Sequence, residues 1–364
     1  MNGSPAVKSH FQSKKPIRYP EPLRPGGRIG VTAPSSGVEE HLHILLHRAR
    51  EQVQKAGYQV VEGETIWTED KLVSAPKEKR AAELSRFLED DSIDVIIPPW
   101  GGWFLMEVLP LLDWKKLSSL PPKWILGYSD TSTLLFTYTL LTGNATAHGP
   151  NWCELSAPEW DEVTGRWTGV LATPASGMVT QVSSEKYQSS WEWVYRNPAS
   201  GFAFDTPTEW KVLGREKRNE SPVKVSGRLL GGCLEALIAL AGTPFAPVER
   251  FVIEHVTDEE GVLWYLETDH FSAAQIYRAL WQMKENGWFT RISGALFGRP
   301  KGFAPTKNFG LKDALEQIFA PMNIPVLYDV DIGHMPPQMT LVNGALAEVT
   351  VEAGRGTLTM RFVP

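Results

Sequence analysis

At 364 residues, with 42% hydrophobic and 21% charged side chains, the chain is too long for one core at roughly 150 residues per domain and too apolar for wholesale disorder. Its formal net charge of −6 gives no electrostatic reason to expect a nucleic-acid polymer or an anionic membrane as partner. Two cysteines, Cys153 and Cys233, exclude a disulfide framework and a four-thiolate zinc site, and favour a reducing, cytoplasmic setting.

Residues 1–20 read as a loose tail; the first fifteen hold no apolar core of a secretory signal. No apolar run approaches the ~20 residues of a membrane helix. From Arg28 strands and helices alternate. Arg28–Ala33 is a strand, and Leu42–Ala56 is a helix with apolar residues at helical spacing and Gly57 as its stop. A strand at Tyr58–Val61, a helix at Lys77–Leu88 and a strand at Ile93–Ile97 follow. Phe104–Leu112 reads as helical, Trp124–Gly127 as a strand and Thr131–Leu141 as a helix. This alternation predicts an open parallel α/β domain of Rossmann or flavodoxin-like type over 21–157. Over 158–214 the alternation is lost in a connector rich in tryptophan, which accounts for several of the fourteen in the chain. A second, mixed α/β and β-rich domain is predicted over 215–364. Its strands fall at Val223–Leu230, Val262–Leu266 and Gly294–Gly298, its helices at Leu234–Ala241, Ala273–Asn286 and Leu311–Phe319, and a hairpin turns near Gly354.

In an open α/β sheet, ligands bind beyond the carboxyl ends of the strands. Three loops of the first domain lie there: Pro34–Gly37, Trp100–Trp103 and Gly127–Ser132. In the third, Ser129 stands on a sharp strand-to-helix turn, which suits a nucleophile whose oxyanion meets backbone amides. The competing reading is that Ser129, Asp130 or Ser132 merely caps the helix. A lipase-type G-x-S-x-G is absent, and neither glycine loop matches G-x-G-x-x-G or a Walker motif, so no nucleotide cofactor is expected. Of eight histidines, His41, His43 and His47 share one helix without metal-ligand spacing, and His255 reads as lying in or beside a strand. His148 ends a strand, and His334 sits in a loop shaped by Gly333 and Pro336-Pro337. Glu267 ends an apolar strand, where a carboxylate must be solvated or committed to a partner. His334 is a candidate for that partner, though spacing alone does not pair them.

These residues resemble peptidase family S66, the LD-carboxypeptidase and microcin C immunity family. The resemblance runs in order from about Leu23 to Thr359, through Pro25–Ser36, Gly101-Gly102, Gly127–Asp130, His148-Gly149-Pro150, Gly227–Leu234, Leu266-Glu267, Gly298-Arg299-Pro300 and Gly333-His334. It implies a Ser129–Glu267–His334 triad in an interdomain groove, with the N–H groups of Gly102 and Asp130 as oxyanion donors. The Gly231–Glu235 motif and the connector look nearer to the microcin-immunity branch. Trp100 and Phe271 stand where the family commonly carries charged side chains, which leaves recognition of an acidic residue or a free carboxylate unsupported.

The resemblance therefore implies a cytoplasmic, metal-independent serine peptidase or amidase, homodimeric and without cofactor. It would cleave an amide bond in a small peptide-like substrate, an aminoacyl-nucleotide of the microcin C type or a murein tetrapeptide. The alternative of another class is a non-catalytic protein that binds a small molecule in the same cleft. Trp103, Trp191 and Trp193 are the candidate substrate contacts, with packing as the competing reading for the last two and stacking on a nucleobase as the functional one.

Overall fold

The computed structural model of the chain describes residues 14–215, 221–301, 303, 305 and 307–364. The alternating first half builds a sheet in which Gln59–Glu62, Arg28–Val31, Val95–Ile96, Trp124–Gly127 and Thr146–His148 lie side by side, all parallel. Its flanking helices bury the apolar stripes read from the sequence. His43–Lys55 turns Leu45, Leu46, Ala49 and Val53 inward, and Lys77–Glu89 does the same with Ala81, Leu84, Phe87 and Leu88. Helix Thr131–Thr142 is buried from Thr131 to Leu140, because it lies between the two halves and packs on helix Leu234–Leu240.

The second sheet has four parallel strands at its centre: Val223–Cys233, Val262–Glu267, Ile292–Gly298 and Val326–Val330. The hairpin Leu346–Glu352 and Arg355–Arg361 extends it antiparallel, turning through Ala353 and Gly354 at φ 48° and 81°. Both halves are thus α/β with parallel centres. Among the described residues no helix is long and apolar enough to cross a membrane.

Several local expectations are corrected. Phe104–Leu112 forms two short 3-10 turns, Leu105–Glu107 and Leu109–Leu111, because Pro110 lacks the N–H that a continuous helix needs. The connector supplies both edges of the second sheet: Met178–Val182 pairs with Arg355–Arg361, and Lys211–Val212 with Val326–Val330. His255 ends a helix, Val248–His255, rather than lying in or beside a strand. Of the loose tail, residues 1–13 lie outside the described residues, whereas 14–20 are docked. Ile17 is buried, and Arg18 exchanges backbone hydrogen bonds with Gly143 and Ala145.

One strand crosses between the halves. Leu341–Asn343 pairs antiparallel with Thr146–His148 and so closes the edge of the first sheet. Asn343, fully buried, accepts hydrogen bonds at Oδ1 from Gly231 N (3.1 Å) and Tyr265 Oη (2.9 Å), and donates from Nδ2 to Thr146 Oγ1 (3.2 Å). Asn343→Ala leaves the Gly231 N–H and the Tyr265 hydroxyl buried without an acceptor, at about 1–3 kcal/mol for each. The expected result in a thermal melt is a loss of at least about 2 kcal/mol, partly recovered by adding Tyr265→Phe. An unchanged melting temperature would show that Asn343 does not lock the halves.

Candidate active site

The strand Trp124–Gly127 and the helix Thr131–Thr142 are joined by three residues, which forces a tight turn. Ser129 takes φ +61° there, a left-handed conformation that an L side chain adopts only under constraint. The turn lifts its hydroxyl off the sheet's carboxyl edge, and Oγ lies 3.1 Å from Nε2 of His334. Ser129 is therefore not the helix cap. Asp130 holds the cap position, and its carboxylate makes no capping bond to the helix backbone.

The Asp130 carboxylate instead gathers the three loops. It accepts from Ser35 Oγ (2.5 Å), Leu105 N (2.9 Å) and Thr133 Oγ1 (3.2 Å), and burial raises its pKa. Gly101 and Gly102 fit between these loops only because they have no side chain. A Cβ at Gly101 would lie 2.6 Å from Ser129 Oγ, and one at Gly102, at φ +142°, would meet the hydroxyls of Ser35 and Ser36. Among the described residues the N–H groups of Gly102 and Asp130 have no acceptor.

Glu267 ends its strand with no exposed surface, and its Oε2 lies 2.6 Å from Nδ1 of His334. Gly333, at φ +85°, passes so close to that carboxylate that any Cβ would overlap it. Behind the histidine, Asp331 is fully buried and anchors the loop. It accepts from Ser184 N (2.8 Å), Ser184 Oγ (2.8 Å), Trp210 Nε1 (3.0 Å) and Arg299 (2.7 Å). With the carboxylate accepting from Nδ1–H, Nε2 is left bare to accept the Ser129 proton. Burial alone would lower the pKa of His334, but the charge and hydrogen bond of Glu267, aided by Asp269, outweigh it and hold the imidazole above its ordinary value. The one group of three potential metal ligands among the described residues, Cys233, Glu267 and His334, overlaps this pair.

Two cavities flank the serine. One, of about 360 Å³, is lined by Gly102, Trp103, Ser129, Asp130, Asp269 and His270. Trp103 is 52% exposed, with its ring 5.2 Å from that of His270. The other, of about 340 Å³, is lined by Trp100, Tyr128, Glu154, Trp191, Lys301 and His334. Trp191 donates from Nε1 to the His334 carbonyl (2.8 Å), so it both walls the cavity and braces the histidine loop. Trp193 is 47% exposed and is not among the residues lining this cavity.

Sequence reasoning missed Glu154. It accepts from Tyr128 Oη (2.6 Å), and burial pushes its carboxyl up to about 7. The Asn151-x-x-Glu154 capping-box spacing was a legible signal for the turn that carries it. His148 lies behind Tyr128, outside the hydrogen-bond chain, where burial and nearby His334 push it down to about 3.

The profile of the LD-carboxypeptidase N-terminal domain of peptidase family S66 matches residues 29–149, and that of its C-terminal domain matches 226–349. The microcin C7 self-immunity protein MccF of Escherichia coli is 25% identical over 94% of this chain and 96% of its own. The murein tetrapeptide carboxypeptidase of Pseudomonas aeruginosa is 24% identical over 85% of this chain and 88% of its own. A solved structure of MccF in complex with glutamyl sulfamoyl guanosine superposes with a TM-score of 0.78 at 23% identity, covering 96% of this chain and 100% of that one.

If His334 takes the serine proton, it must be neutral to do so. Its raised pKa then places the acid limb of kcat/KM above the ordinary histidine value of about 6.5, with activity lost as pH falls through it. Glu267→Gln removes the charge that raises it, so the limb should move to lower pH while the plateau drops. A limb that stays in place in that variant would show that another group sets it.

Proposed function

The chain belongs to the LD-carboxypeptidase family, and from that premise we propose that it is a serine hydrolase cleaving an amide bond in a small peptide-like molecule through an acyl-enzyme. The single observation that carries the proposal is the continuous hydrogen-bonded series from Ser129 through His334 to buried Glu267. In it Ser129 is the nucleophile, His334 the base and Glu267 the group that orients and stabilises the imidazolium. As Ser129 Oγ bonds to the carbonyl carbon, its proton passes to His334 Nε2. The resulting oxyanion faces the N–H groups of Gly102 and Asp130. Cleavage of the C–N bond then takes the proton from His334 to the leaving nitrogen, and water, deprotonated by the same histidine, hydrolyses the ester.

The favoured substrate is an aminoacyl-nucleotide of the microcin C type. The aromatic lining of the cavity beside His334, with Trp191, Tyr195 and Phe202, supports it, because such rings stack on a nucleobase. MccF, solved with glutamyl sulfamoyl guanosine, belongs to the same family. A murein tetrapeptide is the second reading, supported by the Pseudomonas relative. A protein that only binds would need no base aligned on its serine. A cytoplasmic location and a homodimeric state belong to the same reading. Two buried, unpaired cysteines support the location, and light scattering on the purified protein tests the dimer.

Ser129→Ala should lose hydrolysis by at least ~10³-fold while melting normally, and should escape labelling by a serine-reactive phosphonate that modifies the natural protein. Retained turnover or retained labelling would refute the nucleophile. Of the two connector tryptophans, Trp191→Ala should raise KM for an aminoacyl-nucleotide about tenfold or more, and Trp193→Ala should not. Equal effects of Trp191→Ala on nucleotide and murein substrates would show that the ring braces the histidine loop without stacking.

A further inference from the structure

We propose that Lys301 is the specificity-determining cation of the site, binding an anionic group carried by the leaving amine of the substrate. The inference rests on the triad reading above, which fixes which cavity takes which part of the substrate. The groups aimed at the oxyanion, Gly102 and Asp130, line the cavity that also holds Ser129. His334, which hands its proton to the leaving nitrogen, lines the other. The acyl part therefore occupies the side of Trp103 and His270, and the leaving group enters the side of Trp191 and Tyr195.

That leaving-group cavity has one lysine or arginine among its described lining residues, Lys301. Its ammonium is held rather than free to sweep. Nζ lies 4.9 Å from the centroid of the Trp191 ring and 2.9 Å from Asp269 Oδ1, and the side chain keeps 26% exposure towards a ligand. Trp191 is itself fixed by its bond to the His334 carbonyl, so the cation is braced through that ring against the loop that carries the base. The cavity's carboxyl, Glu154, is already engaged by Tyr128, Asn151 and Gln338. Trp100 lines the same cavity and carries no charge, and Lys301 supplies a positive charge there from another loop.

The chemistry that fits is a leaving amine with an anion within a bond or two of the nitrogen. A carboxy-terminal residue carries such an anion as its α-carboxylate, and an acyl-nucleotide linkage carries it as a phosphoryl group. One lysine so placed serves both and discriminates against neutral amides of the same shape. A hydrogen-bonded charge of this kind is worth about tenfold to a hundredfold in affinity.

The test is binding by calorimetry to Ser129→Ala protein, with and without Lys301→Met, using four probes. They are an acyl-tripeptide ending in D-alanine, its carboxy-terminal amide, adenosine monophosphate and adenosine. The acid should outbind the amide, or the nucleotide the nucleoside, by at least tenfold, and Lys301→Met should abolish that preference while leaving the neutral probe unchanged. Lys301→Arg should retain part of it. The pair that shows the preference identifies the anion as carboxylate or phosphoryl. Absence of any anion preference, absence of binding by all four probes at millimolar concentration, or an equal loss for neutral and anionic probes in Lys301→Met would overturn the proposal. Phosphonate labelling of Ser129 in the natural protein and in Lys301→Met reports separately on the triad. Labelling in both with no anion preference refutes Lys301 alone, and no labelling in either refutes the hydrolase reading beneath it.

Discussion

The pairing of Leu341–Asn343 with Thr146–His148 is the constraint on which the rest of the site depends. Ser129 follows the neighbouring strand of the first sheet, and His334 lies seven residues before Leu341 in the second half. Hydrogen bonds between two halves merely packed face to face would leave the serine-to-imidazole distance to side-chain fit. A shared strand instead sets it through backbone register, with Asn343 tying both central strands of the second sheet to Thr146. Ser132 adds a second tie, accepting from the Cys233 N–H at 3.0 Å where Gly232 has no side chain to hold the halves apart.

Around this frame the buried acidic groups each have a distinct task. Asp130 spends its acceptors on three loops and so shapes the pocket behind the serine. Glu267 is committed to one histidine, and its burial makes that interaction strong because water does not compete for it. Asp331 carries no part of the chemistry but holds the His334 loop from beneath, drawing Ser184 and Trp210 of the connector into the support of the site. The tryptophan-rich segment is therefore structural at Trp167 and Trp210, both buried, while Trp191 faces the cavity.

Elements with their own periodicity were legible in the sequence: the helices His43–Lys55 and Ala273–Glu285, and the apolar strands that end at Gly127 and Glu267. Strand ends in an α/β sheet converge on one edge, so the serine and the carboxylate could be proposed from position, while their union with His334 came from resemblance to a family. What was not legible depends on partners distant in the chain. A strand of three residues such as Leu341–Asn343 has no pattern of its own, and neither do the connector's edge strands, which exist only because the hairpin and Val326–Val330 offer unpaired edges. Lys301 and Glu154 meet in one cavity through folding alone, being 147 residues apart (301 − 154).

The crossing strand also governs the order of events during synthesis. Between His148 and Leu341 the ribosome must add 193 residues (341 − 148), which takes roughly 10–40 s at ordinary elongation rates. Throughout that interval the newly made first half bears an open edge along Thr146–His148, with backbone groups that only the late strand will satisfy. It also bears Ser129 without His334, so the serine hydroxyl waits for the partner that lies 3.1 Å away in the folded chain. The strand that seals the nascent edge therefore also brings the loop of His334 to Ser129, so edge closure and assembly of the proposed site are one event.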